Sequence, residues 1–329
     1  MTSSKHAQAA SDRVASVSAK KALITDNKHW KRAKPALSVL IPFLRDDPSE
    51  LLTLLDEEAA SVHGAVEIVV LDDGTRDADL TDRLKAQMAA MALPARLITL
   101  PANEGRSQGR NRLATAARGG SYLFLDSDMR PDHRRFLQAW ADLVAREDPA
   151  VAFGGFSLLQ APTEARFSVH RAMAAKSECV PYIERARQPE KYVYTSNLLV
   201  RRDVFETETF DAGFTGWGWE DVEWAMRVSR RFRVVHLDNA ATHMGLDDVE
   251  SLARKYEQSA PNFARVVGRH PEIVSTYPSY RAARMLKRVP RLAAIRPWMK
   301  RAAVTTWLPT AARAFSLRLY RAALYAEAV

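Results

Sequence analysis

The chain has 329 residues, 47% hydrophobic and 26% charged, which is enough for one large domain or two small ones with a buried core. Its net charge of +9 sits at the ends: residues 279–329 hold eleven Lys/Arg against one acid (Glu327), residues 1–34 hold eight against two, and 35–278 are left at −7. This distribution argues against a nucleic-acid surface spread over the molecule, so no nucleic-acid partner is expected, and for basic appendages on an acidic body. Cys179 is the sole cysteine, which rules out an intramolecular disulfide and a Cys-based zinc site. No run of about 18 apolar residues reads as a spanning helix. The polar N-terminus has no apolar secretory core. A cytoplasmic protein is expected, peripheral on the inner face of the plasma membrane if the basic end binds lipid.

Residues 1–34 lack sustained apolar periodicity and read as a flexible basic lead-in. Leu37-Ser38-Val39-Leu40-Ile41 is a strand that Pro42 should stop. Asp47-Pro48-Ser49-Glu50 offers an N-cap, a proline at the first helical position and a reach-back glutamate for the helix that follows. Further strands are predicted over 66–71, 96–100 and 122–125, with helices over 78–92 and 110–118 between them. A helix over 133–146 leads to a strand over 151–159. Strands over 192–200 and 233–237 bracket a Gly/Trp loop and a helix over 222–230. This alternation predicts an α/β fold with a doubly wound, mostly parallel central sheet spanning 35–278. In such sheets ligands bind beyond the carboxyl ends of the strands. From Ser279 the composition turns Arg-studded and Ala/Leu/Trp-rich, broken by Pro290, Pro297 and Pro309, which marks 279–329 as a basic amphipathic helical extension.

The strand-end polar clusters carry the chemistry. Asp126-Ser127-Asp128 follows an apolar strand; magnesium and manganese are commonly held by one or two carboxylates plus phosphate oxygens, while the plainer reading is an acidic turn that caps a helix. Asp72-Asp73-Gly74-Thr75 could accept from a uracil N–H or simply cap the next helix. Pro42-Phe43 could wall a base pocket or merely pack. In Asn103–Asn111, Arg110 lies near a helix N-terminus that suits a diphosphate, whereas Arg112 and Arg118 read as a solvated face. Gly216-Trp217-Gly218-Trp219-Glu220-Asp221 combines apolar platforms for sugar rings with a Glu-Asp pair. A carboxylate there could deprotonate an acceptor hydroxyl, and acids there also favour the start of a helix, the reading that fits Glu223. His243, just after a strand, is a candidate manganese ligand, although a lone histidine is more often structural. There is no His-Glu-x-x-His pattern, no Gly-x-Ser-x-Gly elbow and no Gly-Lys-Ser/Thr phosphate loop.

Taken in order, these segments resemble a family-2 glycosyltransferase with the GT-A fold over about 37–250. The carrying strings are Leu-Ser-Val-Leu-Ile-Pro, Val-Val-Leu-Asp-Asp-Gly-Thr, Asn-Glu-Gly-Arg-Ser-Gln-Gly-Arg-Asn-Arg (Gly109 where alanine is usual) and Leu-Phe-Leu-Asp-Ser-Asp. Gly-Trp-Gly-Trp-Glu-Asp is similar to a segment of chondroitin-polymerase-like enzymes and β-1,4-galactosyltransferases, with Trp219 where the latter carry glycine. The resemblance implies an inverting hexosyl transfer from a nucleotide sugar, usually UDP-linked, with Mn2+ or Mg2+. Pro42, Asp72 or Asp73 and Arg110 would hold the nucleotide. Asp126 and Asp128 would hold ribose and metal, with His243 as a further ligand. Asp221 would be the base, and Glu220, Trp217 and Trp219 would border the sugars. The acceptor would be a saccharide or lipid-linked saccharide, as in bacterial surface-polysaccharide synthesis, and residues 279–329 would meet an anionic membrane surface or pack on the body. A nucleotidyltransferase needs a Gly-rich, Lys/Arg-bearing loop after the first strand, where this chain reads Pro-Phe-Leu-Arg-Asp-Asp. An inactive nucleotide-sugar-binding scaffold would not need Asp126, Asp128, Glu220 and Asp221 together.

Overall fold

In the computed structural model, which describes residues 21–329, the apolar runs become strands and the 3.6-periodic runs become helices. The chain first runs β1 (Leu23–Asp26), β2 (Leu37–Phe43), α1 (Ser49–Asp56), β3 (Val66–Asp72), α2 (Ala78–Ala90), β4 (Ala95–Thr99), α3 (Arg106–Ala116), β5 (Ser121–Leu125), β6 (Met129–Pro131) and α4 (Phe136–Arg146). It continues β7 (Val151–Phe153), β8 (Phe156–Ser157), α5 (Ser168–Ser177), β9 (Asn197–Arg201), α6 (Arg202–Thr207), α7 (Glu220–Val228), β10 (Val234–His236), β11 (Ala241–His243) and α8 (Val249–Arg269). Helices α9 (Pro278–Leu286), α10 (Leu292–Val304) and α11 (Thr310–Tyr325) complete it. Two compact units form: residues up to Val151 with 195–207, and 152–194 with 208–329.

The first unit is built on strands in the order β1-β4-β3-β2-β5-β9. β4, β3, β2 and β5 are mutually parallel, while β1 and β9 run antiparallel at the two sides. Leu37, Val39, Leu40, Ile41, Ile68, Val69, Val70 and Leu123 are fully buried, as expected of parallel strands covered on both faces. The charge within this sheet is paired. Glu67 accepts from Ser38 Oγ at 2.7 Å, from the Arg118 amide at 2.7 Å and from Arg118 Nε at 2.8 Å. Arg118 is therefore a structural partner and not the solvated arginine its sequence position implies.

Three expectations change here. Residues 1–20 of the basic lead-in lie outside the described residues, but 23–26 form β1, and Trp30 is buried with the guanidiniums of Arg118 and Arg96 3.9 and 4.4 Å from its ring. The indole and its cations fix the segment, and no apolar repeat is needed for that. Pro42 does not stop β2, which runs on to Phe43. Beyond Leu40 only β3 pairs with β2, so the missing N–H of Pro42 breaks no ladder with β5. Glu50 does not reach back to its own helix start but pairs with Arg130, and Asp47 accepts from the Ser49 amide.

In the second unit the strand expected over 151–159 is broken by Gly154-Gly155. Gly155 has φ +104°, and a Cβ there would lie 2.5 Å from Arg185 Nη2. Arg185 is buried, and its guanidinium donates to the carbonyls of Phe153, Gly154, Val180 and Leu237. Desolvation lowers its pKa to about 10, opposed by the Asp238 charge. Gly155→Ala is expected to destabilise the fold by about 1–3 kcal/mol, measured as a lower denaturant midpoint, because the substitution combines a left-handed backbone with a displaced buried arginine. β8 pairs in parallel with β11. α5, α8 and α11 share a core of Val169, Met173, Leu252, Tyr256, Leu317 and Tyr320, and Tyr325 and Ala283 join Phe263 and Val266 in another. The composition boundary at Ser279 is thus not a boundary of packing within this unit.

Candidate active site

In the first unit the carboxyl ends of β2, β3 and β5 deliver Pro42, Asp72-Asp73 and Asp126 to one side of the sheet, as parallel pairing requires. Asp72 Oδ1 accepts from the Thr75 amide at 2.8 Å, and Thr75 Oγ1 accepts from the Arg45 amide at 2.9 Å, which ties the β2 and β3 loops together. Asp73 accepts from the amides of Glu104 (2.7 Å) and Gly105 (3.1 Å) and so fixes the entry to α3. Burial raises the Asp73 pKa, against the pull of those two amides. Gly74, at φ +86°, lets this turn approach Ala102, where a Cβ would lie 2.5 Å from its carbonyl carbon. At Gly109 an added Cβ would meet Leu71 Cδ2 at 3.1 Å, so the alanine usual in the resembling segment would need a small shift of that leucine.

Asp126 is held on both of its oxygens. Arg110, 1% exposed, donates through Nη2 to its Oδ1 at 2.9 Å, and Ser196 Oγ donates to its Oδ2 at 2.8 Å. Both oxygens are therefore aimed by neighbours, one of them by Arg110. The Met129 amide bonds back to the Asp126 carbonyl at 3.1 Å, closing the turn that carries Asp128. Ser196 escaped the sequence reading because a lone serine some seventy residues away carries no local signal.

In the second unit Gly216 (φ +71°), Gly218 (φ +86°) and Trp219 (φ +75°) all take left-handed backbone just before α7. For tryptophan that conformation is strained, and it is where the resembling galactosyltransferase segment has glycine. Asn262, buried on α8, holds the loop by donating from Nδ2 to the carbonyls of Thr215 (2.8 Å) and Gly218 (2.9 Å), with Trp217 O at 3.4 Å. Its only sequence signal is an amide beside Ser259 on the otherwise apolar face carrying Phe263 and Val266. Asn262→Leu leaves those carbonyls without their donor and is expected to cost on the order of 1–3 kcal/mol, read as faster proteolysis within 213–219 and a lower thermal midpoint.

The loop's aromatic and acidic side chains divide. The Trp219 indole N–H donates to Tyr325 Oη at 3.0 Å, and its ring packs 5.0 Å from Phe263, so it is engaged with α8 and α11. Trp217 lies 6.1 Å from the Tyr256 ring with Lys255 Nζ 5.9 Å from its own. Glu223 is fully buried and bonded to Arg227 and His270, a structural role. Glu220 is also buried. Asp221, in the first turn of α7, accepts from the Val222 amide at 2.8 Å.

The same unit holds a group of titratable side chains that the sequence did not disclose, linked to Asp221 through Tyr194. Burial pushes up the Tyr194 phenol, and the charges of Glu178 and Asp221 add to it. Burial likewise raises the Glu178 carboxyl, offset by His243, Arg321 and Lys255. Arg321, from α11, stands 5.1 Å over the Tyr256 ring. His243 ends β11 with its ring 5.8 Å from His170 and 6.2 Å from Phe156. These residues are scattered between 170 and 321 in the chain, and only the fold collects them. Among the described residues no three His, Cys, Asp or Glu side chains form a group able to hold a metal by themselves.

The model of the family described as glycosyl transferase family 2 matches residues 38–208, just over half of the chain. No curated protein matches it. Among solved structures, the mannosyltransferase PcManGT from Pyrobaculum calidifontis, in complex with GDP-Man and Mn2+, is similar with a TM-score of 0.54 at 14% identity, over 96% of this chain and 92% of that one. S. aureus TarS is similar with a TM-score of 0.50 at 15% identity, over 89% of this chain and 54% of that one. At these identities the likeness is one of fold, the GT-A fold.

Proposed function

Because the chain belongs to glycosyl transferase family 2, we propose that it is a metal-dependent, inverting enzyme that moves a sugar from a nucleotide, most simply UDP, to a saccharide or lipid-linked saccharide. The observation that carries this reading is the pair at the end of β5: Asp126 fixed on both oxygens by Arg110 and Ser196, with Asp128 carried on the turn beside it.

Among the described residues no three His, Cys, Asp or Glu side chains form a metal group by themselves, and a pair of hard carboxylates suits a Mn2+ or Mg2+ ion that would also take phosphate oxygens and water. Asp128 would hold that ion, Asp126 would meet ribose and the ion, and His243 would be a further ligand. When bound, the ion supplies neutralisation of the charge that builds on the leaving diphosphate. Pro42 and Asp72 would border the base. Asp73 would keep the 103–106 segment in place for it. Asp221 would accept the proton of the attacking acceptor hydroxyl, and Glu220 would orient that acceptor. Of the two tryptophans, Trp217 would provide the sugar platform and Trp219 would brace the loop. The acceptor class proposed is the lipid-linked saccharide of bacterial surface-polysaccharide assembly, at the cytoplasmic side of a membrane.

The test is a panel of UDP- and GDP-sugars with manganese, scored for nucleotide release and set against Asp128→Ala. Release with one donor that disappears in the variant supports the reading. Binding of a nucleotide sugar with no release on any acceptor tried would favour the scaffold.

A further inference from the structure

Helices α9, α10 and α11 are neighbours within the second unit, with α11 packed against both of the others. Their inward residues, among them Ala283, Leu292, Ala303 and Leu317, account for one side of each. The other side is unusual. Half of the exposed large apolar side chains of the described residues fall between 285 and 315: Met285 at 72%, Ile295, Trp298 at 68%, Trp307 at 82% and Phe315 at 60%. On α10 the exposed Ala294, Ile295 and Trp298 recur at helical spacing on the side away from Leu292 and Ala303. Isolated exposed apolar residues need no explanation, but two tryptophans this open in one short segment do.

The surrounding charge is of one sign. Arg281, Arg284, Arg288, Arg291, Arg301 and Arg318 are exposed, and none forms an ion pair with a described residue. The one acid of 279–329, Glu327, is taken by Arg296, and Lys300 is paired with Glu257. The surface therefore lacks its counter-charges and offers aromatic side chains among its cations. An anionic bilayer supplies both needs, since lipid phosphates meet the arginines while tryptophan rings settle at headgroup depth. Among the described residues no helix is long and apolar enough to cross a membrane, so the segment would lie on the surface. Nucleic acid would satisfy the arginines but has no use for Met285 and Ile295, and a second copy of this face would bring like charges together.

We infer that the outer side of α9–α11 is a docking surface for anionic phospholipid bilayers. This does not depend on the assignment of the transfer chemistry. The full chain should co-sediment with vesicles of phosphatidylcholine mixed with phosphatidylglycerol, weaken as salt rises and ignore phosphatidylcholine alone. The Trp298→Ser/Trp307→Ser pair should lower the partition coefficient by about tenfold or more while leaving the thermal midpoint unchanged, because both side chains are open in the free protein. Arg284→Glu with Arg288→Glu should lower it by about fivefold or more per position. Equal binding to both vesicle types, no binding to either, or indifference to the tryptophan pair overturns the inference. Tight, salt-sensitive binding to a DNA or RNA oligonucleotide without vesicle binding overturns it in favour of a nucleic-acid partner. Self-association that vanishes in the tryptophan variant, without vesicle binding, overturns it in favour of a second copy of the chain.

Discussion

Asp221→Asn is expected to lower kcat by about 10²–10⁴-fold while leaving donor binding near its starting value, as seen in steady-state nucleotide release with donor and acceptor both varied. Asparagine has the same shape and retains an oxygen that can accept from the Val222 amide, so the first turn of α7 should not move. What it loses is the ability to take a proton. Thermal melting of the variant should coincide with that of the parent. Turnover within a few-fold of the parent would remove the base role from Asp221 and pass it to Glu178 or Glu220, whose glutamine variants would then carry the loss.

The second large effect separates the two aspartates at the end of β5. Asp128→Ala is expected to abolish metal-dependent binding of a nucleoside diphosphate, measured by calorimetry with and without Mn2+. Asp126→Ala should lose binding too, but also unfold more easily by about 1–3 kcal/mol, because it removes the acceptor of one bond from the buried Arg110 guanidinium and of the Ser196 hydroxyl bond. Asp126→Asn should recover part of that stability through its amide oxygen without recovering binding. Melting of Asp126→Ala at the temperature of the parent would show that the Arg110–Asp126 pair does not constrain the turn.

The sheet was legible because burial on both faces demands unbroken apolar runs, and Val66–Leu71 or Tyr122–Leu125 can hardly be anything else. The strand-end carboxylates were legible for the same reason, since a charged pair directly after such a run is conspicuous. Elements fixed by single long-range contacts were not. β1 depends on pairing with β4 and on Trp30 between two arginines, and neither partner is near it in sequence. The break at Gly155 depends on where the Arg185 guanidinium lies. Asn262, Ser196, Glu178 and Arg321 are single polar residues in ordinary surroundings, and the tertiary fold alone gives them their partners. Composition marked the last fifty residues as basic and helical but left open how they pack, since arginines on one side of α9–α11 mask the alanines, leucines and tyrosines that anchor the other.

The four residues of β1 also protect the molecule from itself. Without them β4 would be the outer strand of its sheet, presenting a row of open N–H and C=O groups on which another chain could extend the sheet. β1 occupies those groups antiparallel, and the Asp26–Arg96 ion pair at 2.7 Å pins its end. Trimming the chain at residue 34, where the acidic body begins, would leave every residue proposed for the transfer chemistry in place and yet expose a seed for aggregation.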